Sequence, residues 1–88
     1  MQVIRFTALW CTSCLLMKSR WNTYFSSIKQ AQITDIDFDD QNDICNLYKI
    51  GNILPVMIVL NEKKEEVLRI VGEKSLKELH LLLDEVLE

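Results

Sequence analysis

The 88 residues suffice for one domain, a chain that buries roughly 60–65% of its unfolded surface on folding. Hydrophobic residues at 49% and charged residues at 26% describe an ordinary globular composition, and no stretch approaches the roughly 20 apolar residues of a membrane span. A net charge of −3 and a pI near 5.1 leave no basic footprint, which argues against nucleic acid as a partner.

The N-terminus, Met1-Gln2-Val3-Ile4-Arg5, lacks the charged-then-apolar layout of a signal peptide and opens directly on a strand predicted over 2–8. A helix is predicted over 12–29, with Cys14, Met17, Trp21, Tyr24 and Ile28 spaced three and four apart and Phe25 widening the stripe. Residues 33–38 alternate as a second strand, with Ile36 and Phe38 on one side and Asp35 and Asp37 on the other. After the polar starter 39–43, a short helix carries Ile44, Leu47 and Tyr48, and Gly51-Asn52 breaks it. A third strand, 56–60, begins just past Pro55, the only proline, at a place where a strand tolerates one. The polar group 61–64 turns the chain into a fourth strand over 65–71. A last helix over 74–87 offers Leu76, Leu79, Leu83 and Val86 as its core stripe. The order β-α-β-α-β-β-α specifies one α/β domain over 1–88. Its four-stranded mixed sheet pairs the first two strands in parallel across a right-handed crossover and the last two antiparallel, with helices on both faces.

Chemistry concentrates at the junction of the first strand and first helix, in Trp10-Cys11-Thr12-Ser13-Cys14. Two cysteines three apart in a first helical turn lie close enough to form an intrahelical disulfide. The first thiol sits where backbone N–H groups and the helix dipole favour an anion, and a thiolate is the species that attacks a disulfide. A neighbouring thiol can then resolve the mixed disulfide, so the turn holds a nucleophile and a resolving group. The same CxxC alone equally suggests half a zinc site. Three cysteines is an odd number, so the chain is no fully paired disulfide framework, and a cytoplasmic location fits best.

The segment Phe6-Thr7-Ala8-Leu9-Trp10-Cys11-Thr12-Ser13-Cys14, Pro55 entering the third strand 41 residues after Cys14, and Val71-Gly72 closing the fourth resemble the thioredoxin-fold family. The likeness covers essentially the whole length. It implies the minimal four-stranded core, of glutaredoxin size, without the N-terminal strand and helix of thioredoxin itself. It further implies that Cys11 attacks and Cys14 resolves, that Pro55 is the family's cis-proline, and that the backbone of Leu54 pairs with a substrate strand. Trp10 and Leu54 would form an apolar rim, with Gly72 giving room for close approach. The implied partners are disulfide-containing proteins and a reductase-type electron donor, with no cofactor, metal, nucleic acid or membrane and with the chain a monomer.

Departures from the family pattern matter equally. The spacer Thr12-Ser13 replaces the common Gly-Pro and sets two hydroxyls near the sulfurs. Hydrogen bonds from them to a thiolate would raise the reduction potential by about 30 mV per 1.4 kcal/mol. The segment from Tyr48 to Pro55 runs one residue longer than in thioredoxins. Arg5 stands six residues before Cys11, where thioredoxins usually hold a buried aspartate that assists proton transfer from the resolving cysteine, and Asp35 stands where they often have lysine. The expectation is an inverted pair on neighbouring parallel strands, with Arg5 favouring thiolates but unable to accept a proton. The alternative is an Arg5 that snorkels to solvent at a strand end.

Other residues read as structure. Cys45, beside the apolar stripe of the second helix, reads as a small hydrophobe, and His80 as the edge of a packed face. The separations between Cys11, Cys14, Cys45 and His80 fit no compact zinc module. The acidic run 35–43 lacks the Gly and closing Glu of a calcium loop. Three functions stay open on these residues. One is a thiol–disulfide oxidoreductase acting on proteins, one a partner-binding or redox-sensing module without turnover, and one a glutathione-dependent enzyme of the glutaredoxin kind.

Overall fold

A computed structural model describes residues 1–28 and 31–87. The elements run β1 (Gln2–Thr7), α1 (Thr12–Phe25), β2 (Gln32–Asp37), α2 (Asn42–Leu47), β3 (Val56–Leu60), β4 (Glu66–Val71) and α3 (Leu76–Leu87). They build a mixed sheet of order β2-β1-β3-β4. The β1–β2 pair is parallel, and β1–β3 and β3–β4 are antiparallel. The predicted order and strand directions therefore match the fold. Among the described residues no helix is long and apolar enough to cross a membrane.

The sheet separates two cores, and the strand pleat decides which side chain joins which. On one face Val3, Met57, Val59 and Ile70 pack with Met17, Trp21, Tyr24 and Phe25 of α1 and with Leu79, Leu83 and Leu87 of α3. On the other, Phe6, Ile36, Val56, Ile58 and Leu60 pack with Cys45 of α2, and this cluster continues through Ala8 to Cys11 and Cys14. Strand β3 is buried along all five residues because it feeds both cores and has a strand on each side. Between the helices, the Tyr24 hydroxyl donates to Asp84 Oδ1 at 2.8 Å, joining α1 to α3.

Several boundaries differ from the sequence reading. Helix α1 stops at Phe25, not 29. Ser26 and Ser27 turn their hydroxyls back onto the carbonyls of Thr23 and Tyr24, satisfying groups that another helical turn would have taken. Ile28 still packs on the core from outside the helix, and Lys29 lies outside the described residues. Helix α2 buries Cys45 and leaves Leu47 75% exposed, because a six-residue helix turns only Ile44, Cys45 and the following Tyr48 inward. It ends before Gly51. Lys49 adopts φ 56, while Lys49 N–H donates to Asn46 O and Ile50 N–H to Cys45 O, the paired bonds that close a helix on a left-handed residue. In α3 the buried stripe is Leu79, Leu83 and Leu87, with Val86 half-buried and Leu76 exposed in the first turn. That helix begins at a reciprocal cap in which Ser75 Oγ accepts from Glu78 N–H and Glu78 Oε1 accepts from Ser75 N–H, both at 3.1 Å.

Candidate active site

Past the end of β1 the chain makes a tight turn, with Cys11 N–H donating to Ala8 O at 3.2 Å, and enters α1. Cys11 is the N-cap, extended at φ −93 and ψ 110, and its Sγ accepts from Cys14 N–H at 3.2 Å. An N-cap ordinarily offers a side-chain oxygen to the orphan amides of the first turn. Here a sulfur does so, which puts a backbone donor on Cys11 Sγ, an arrangement that would favour a thiolate there. Both cysteines are buried and unbridged, the dithiol state. Burial pushes the Cys14 thiol up to about 12, the neighbouring Cys11 adds to the rise, and the Ala8 backbone opposes it. Cys14 is thus held as a protonated thiol.

The surroundings divide into apolar rim and polar ties. Trp10 is 61% exposed beside Cys11. Its indole N–H donates to Asp39 Oδ2 at 2.8 Å, and its ring stands edge-on to Phe38 at 6.3 Å. Leu9 is 90% exposed next to it. The Leu54–Pro55 peptide bond is cis, and both residues are buried. The expected rim position of the Leu54 side chain is therefore corrected. Leu54 packs in the same core as Val56, Ile58 and Leu60 and so faces inward. Ile53, 64% exposed, takes the outer position. The role expected of Gly72 also changes. A Cβ there would meet only Ile53 Cγ2 at 3.9 Å, an ordinary contact, so space does not require glycine. Its φ of +85 does, and its N–H donates to Pro55 O at 2.8 Å, fastening the two loops together.

The spacer hydroxyls part company. Thr12 is exposed, whereas Ser13 Oγ lies 3.2 Å from Glu73 Oε2 and donates to it, tying the first turn of α1 to the loop after β4. Arg5 and Asp35 are register partners and form a bidentate pair, Nε to Oδ1 at 2.7 Å and Nη2 to Oδ2 at 2.9 Å. The Arg5 guanidinium lies buried over the rings of Trp21 and Phe25, at 5.2 and 5.9 Å. It does not snorkel.

Elsewhere, burial and then Asp43 and Asp37 push the Cys45 thiol up, its Sγ facing Phe38 O at 4.0 Å. His80 meets the Tyr24 ring edge-on, centroids 4.9 Å apart, and its Nδ1 lies 3.3 Å from the Asp84 carboxylate on α3. Among the described residues no group of three or more His, Cys, Asp or Glu is placed to hold a metal.

Sequence reasoning missed Ile53, Glu73 and Asp39. Glu73 lies 60 residues from Ser13, and no local signal joins them. The cluster of apolar residues around the proline was visible, but not which of them faces out.

Compared with known proteins, residues 1–85 match the family model described as Thioredoxin. The chain is 33% identical over 72 residues to thioredoxin H7 of Arabidopsis thaliana, an alignment covering 82% of this chain and 54% of that one. It thus spans about half the length of that curated relative. Among solved structures, thioredoxin-2 of the malaria parasite superposes with a TM-score of 0.84 at 21% identity, over 96% of this chain and 81% of that one. Oxidized mitochondrial thioredoxin 3 of Saccharomyces cerevisiae gives 0.83 at 19% identity, over 97% and 77%. At such identities the structural likeness speaks to the fold.

Proposed function

Since the chain belongs to the thioredoxin family, we propose that it is a thiol–disulfide oxidoreductase that reduces protein disulfides through Cys11 and Cys14, its 88 residues working as one thioredoxin-like unit. The observation that carries this reading is Cys11 Sγ capping α1 and taking the Cys14 amide beside an exposed apolar rim. Cys11 as thiolate attacks one sulfur of the substrate disulfide. A Cys11–substrate S–S bond forms, and the other substrate sulfur leaves as a thiolate that takes up a proton. Cys14 then loses its proton and attacks Cys11 Sγ, releasing the second substrate thiolate and leaving a Cys11–Cys14 disulfide. Two electrons pass from the dithiol to the substrate, and a reductase-type donor restores them.

In this reading the substrate segment lies across Leu9, Trp10 and Ile53 and pairs with the backbone of Leu54, which takes part in no hydrogen bond among the described residues. Pro55 and Gly72 hold that loop in place. The carboxylates at the rim, Glu73 and Asp39, repel the carboxylates of glutathione, while Lys74 turns its ammonium onto the carbonyls of Val71 and Glu73. Both points favour protein disulfides over a glutathione-dependent reaction. A reducing compartment, the cytoplasm, suits this direction of electron flow.

The test is a redox titration of the cysteine pair against graded dithiothreitol buffers with trapping of free thiols. A two-electron transition between about −270 and −200 mV is expected, the range of thioredoxin- and glutaredoxin-type reductants. No intramolecular disulfide at any poise would leave a binding module in place of the enzyme.

A further inference from the structure

The resolving step needs an acceptor for the Cys14 proton, and the residue six before Cys11 is an arginine that cannot serve. The face of the sheet beneath α1 shows where another acceptor lies. Successive register pairs on that face are Val3–Ile33, Arg5–Asp35 and Thr7–Asp37. Along α1, Cys14, Lys18, Trp21 and Phe25 follow one another at helical spacing, and Arg5 lies against Trp21 and Phe25. The next register pair toward the helix N-terminus is Thr7–Asp37, at the end of the sheet where Cys14 and Lys18 meet it. A cavity of about 50 Å3 sits there, lined by Thr7, Ala8, Leu9, Cys14, Lys18 and Asp37 among others. It is about large enough for one water, and its polar lining groups are Thr7, Lys18 and Asp37 beside the Cys14 thiol. Asp37 Oδ1 accepts the N–H groups of Asp39 and Asp40, at 2.9 and 3.2 Å. Its Oδ2 takes part in no hydrogen bond or ion pair among the described residues.

We infer that Asp37 accepts the Cys14 proton in the resolving step, across or through this cavity, and so replaces the carboxylate that Arg5 displaces. The inference rests on the oxidoreductase reading. The Cys14 S–H bond breaks as its proton passes to the Asp37 carboxylate. The resulting thiolate forms the bond to Cys11 Sγ, the Cys11–substrate bond breaks, and the leaving thiolate is reprotonated from Asp37 or solvent. The charged and titratable groups around Cys14 are Cys11 and Lys18 on α1, Asp37 on β2, Arg5 on β1 locked to Asp35, Glu73 bonded to Ser13, and Cys45 on α2. Only Asp37 combines a free carboxylate oxygen with a place in the Cys14 cavity. Lys18 lines the same cavity from the next turn of α1.

The experiment is stopped-flow mixing of the reduced protein with an equimolar amount of dithionitrobenzoate, in a Cys45→Ala background so that two thiols report. The first chromophore release reads attack by Cys11 and the second reads resolution by Cys14. Asp37→Asn keeps a side-chain oxygen for the two turn amides and removes the base. The first release should be unchanged and the second slower by at least about tenfold at neutral pH. The slow second release should then rise about tenfold per pH unit and converge on the unsubstituted curve in alkali, as the thiol ionises without help. A second release as fast as in the parent, or slowed by one constant factor at every pH, would overturn the inference and leave Asp37 a turn residue. If Asn at this position unfolds the chain, Asp37→Ser offers the amides a hydroxyl and is read by the same two curves. Absence of any first release from the parent would overturn the oxidoreductase reading itself, and this proposal with it.

Discussion

Arg5 stands where the family resemblance expects a carboxylate, and its visible contacts are structural. Its bidentate bond to Asp35 and the rings of Trp21 and Phe25 under its guanidinium hold its head group in place. Asp35 is 59% exposed, so it can be rehydrated if the arginine is lost. Arg5→Met should therefore keep the packing against Trp21 and Phe25 and change stability by less than about 2 kcal/mol, since the aspartate left behind is already more than half exposed and a pair of this kind contributes little. The titration of the cysteine pair should not move, and following thiolate absorbance against pH in parent and variant checks this; a raised midpoint would restore Arg5 to the site. Much at this scale was legible in the sequence. The strand-to-helix CxxC placed Cys11, Cys14 and Trp10, and strand alternation with a parallel crossover placed Arg5 opposite Asp35. The exchange of Leu54 for Ile53 at the rim was not legible, because it turns on which way the irregular segment before β3 carries its side chains. Neither was the Ser13–Glu73 bond, which depends on how two distant loops meet.

At the scale of elements, each misplaced boundary has a local chemical cause. Ser26 and Ser27 end α1 by bonding its last carbonyls, and that signal was present as a polar pair at the close of an apolar stripe. Ser75-Leu76-Lys77-Glu78 is a cap signature directly before the α3 stripe and would have put the helix start at 76. The end of α2 is different. A lysine occupies the left-handed position that glycine usually takes, and Gly51 two residues on drew the expected break to itself. A left-handed conformation costs an ordinary L-residue roughly 1 kcal/mol or more. Lys49 is exposed, so Lys49→Gly should raise stability by about 1 kcal/mol, read as a higher urea midpoint at unchanged slope. A lower midpoint would mean that the lysine side chain makes a compensating contact.

Across the whole molecule, the sheet keeps the cysteine turn and the α1–α3 layer in separate cores, yet the redox pair remains coupled to global stability through the protonation of Cys14. Its folded-state value, pushed up to about 12, lies above its ordinary 9.0. The folded dithiol state holds that proton where the unfolded chain releases it. Stability from this source is fully present below pH 9 and is lost as pH rises from about 9 toward 12. The reduced protein should therefore lose thermal stability over that window. The disulfide form, in which Cys14 has no proton to lose, should lose less. Parallel melting curves of the two forms through alkaline pH would contradict this. The order of elements and the directions of the strands were readable from periodicity because each strand and helix buries one consistent set of residues. The division into two cores was not, since β3 is apolar throughout and its pattern does not say which residue faces which helix. That same strand has a consequence in time. Hydrogen-bonded on both edges and buried on both faces, β3 is the part of the chain least able to open locally, so its amides exchange with solvent only when the whole fold lets go. Leu54 and Pro55 are joined directly to it, whereas the first turn of α1 is tied down by single bonds at exposed sites such as Ser13–Glu73. In the proposed reaction the loop that would meet the substrate is thus anchored to the part of the fold slowest to open, and the cysteine turn faces it from a separate element.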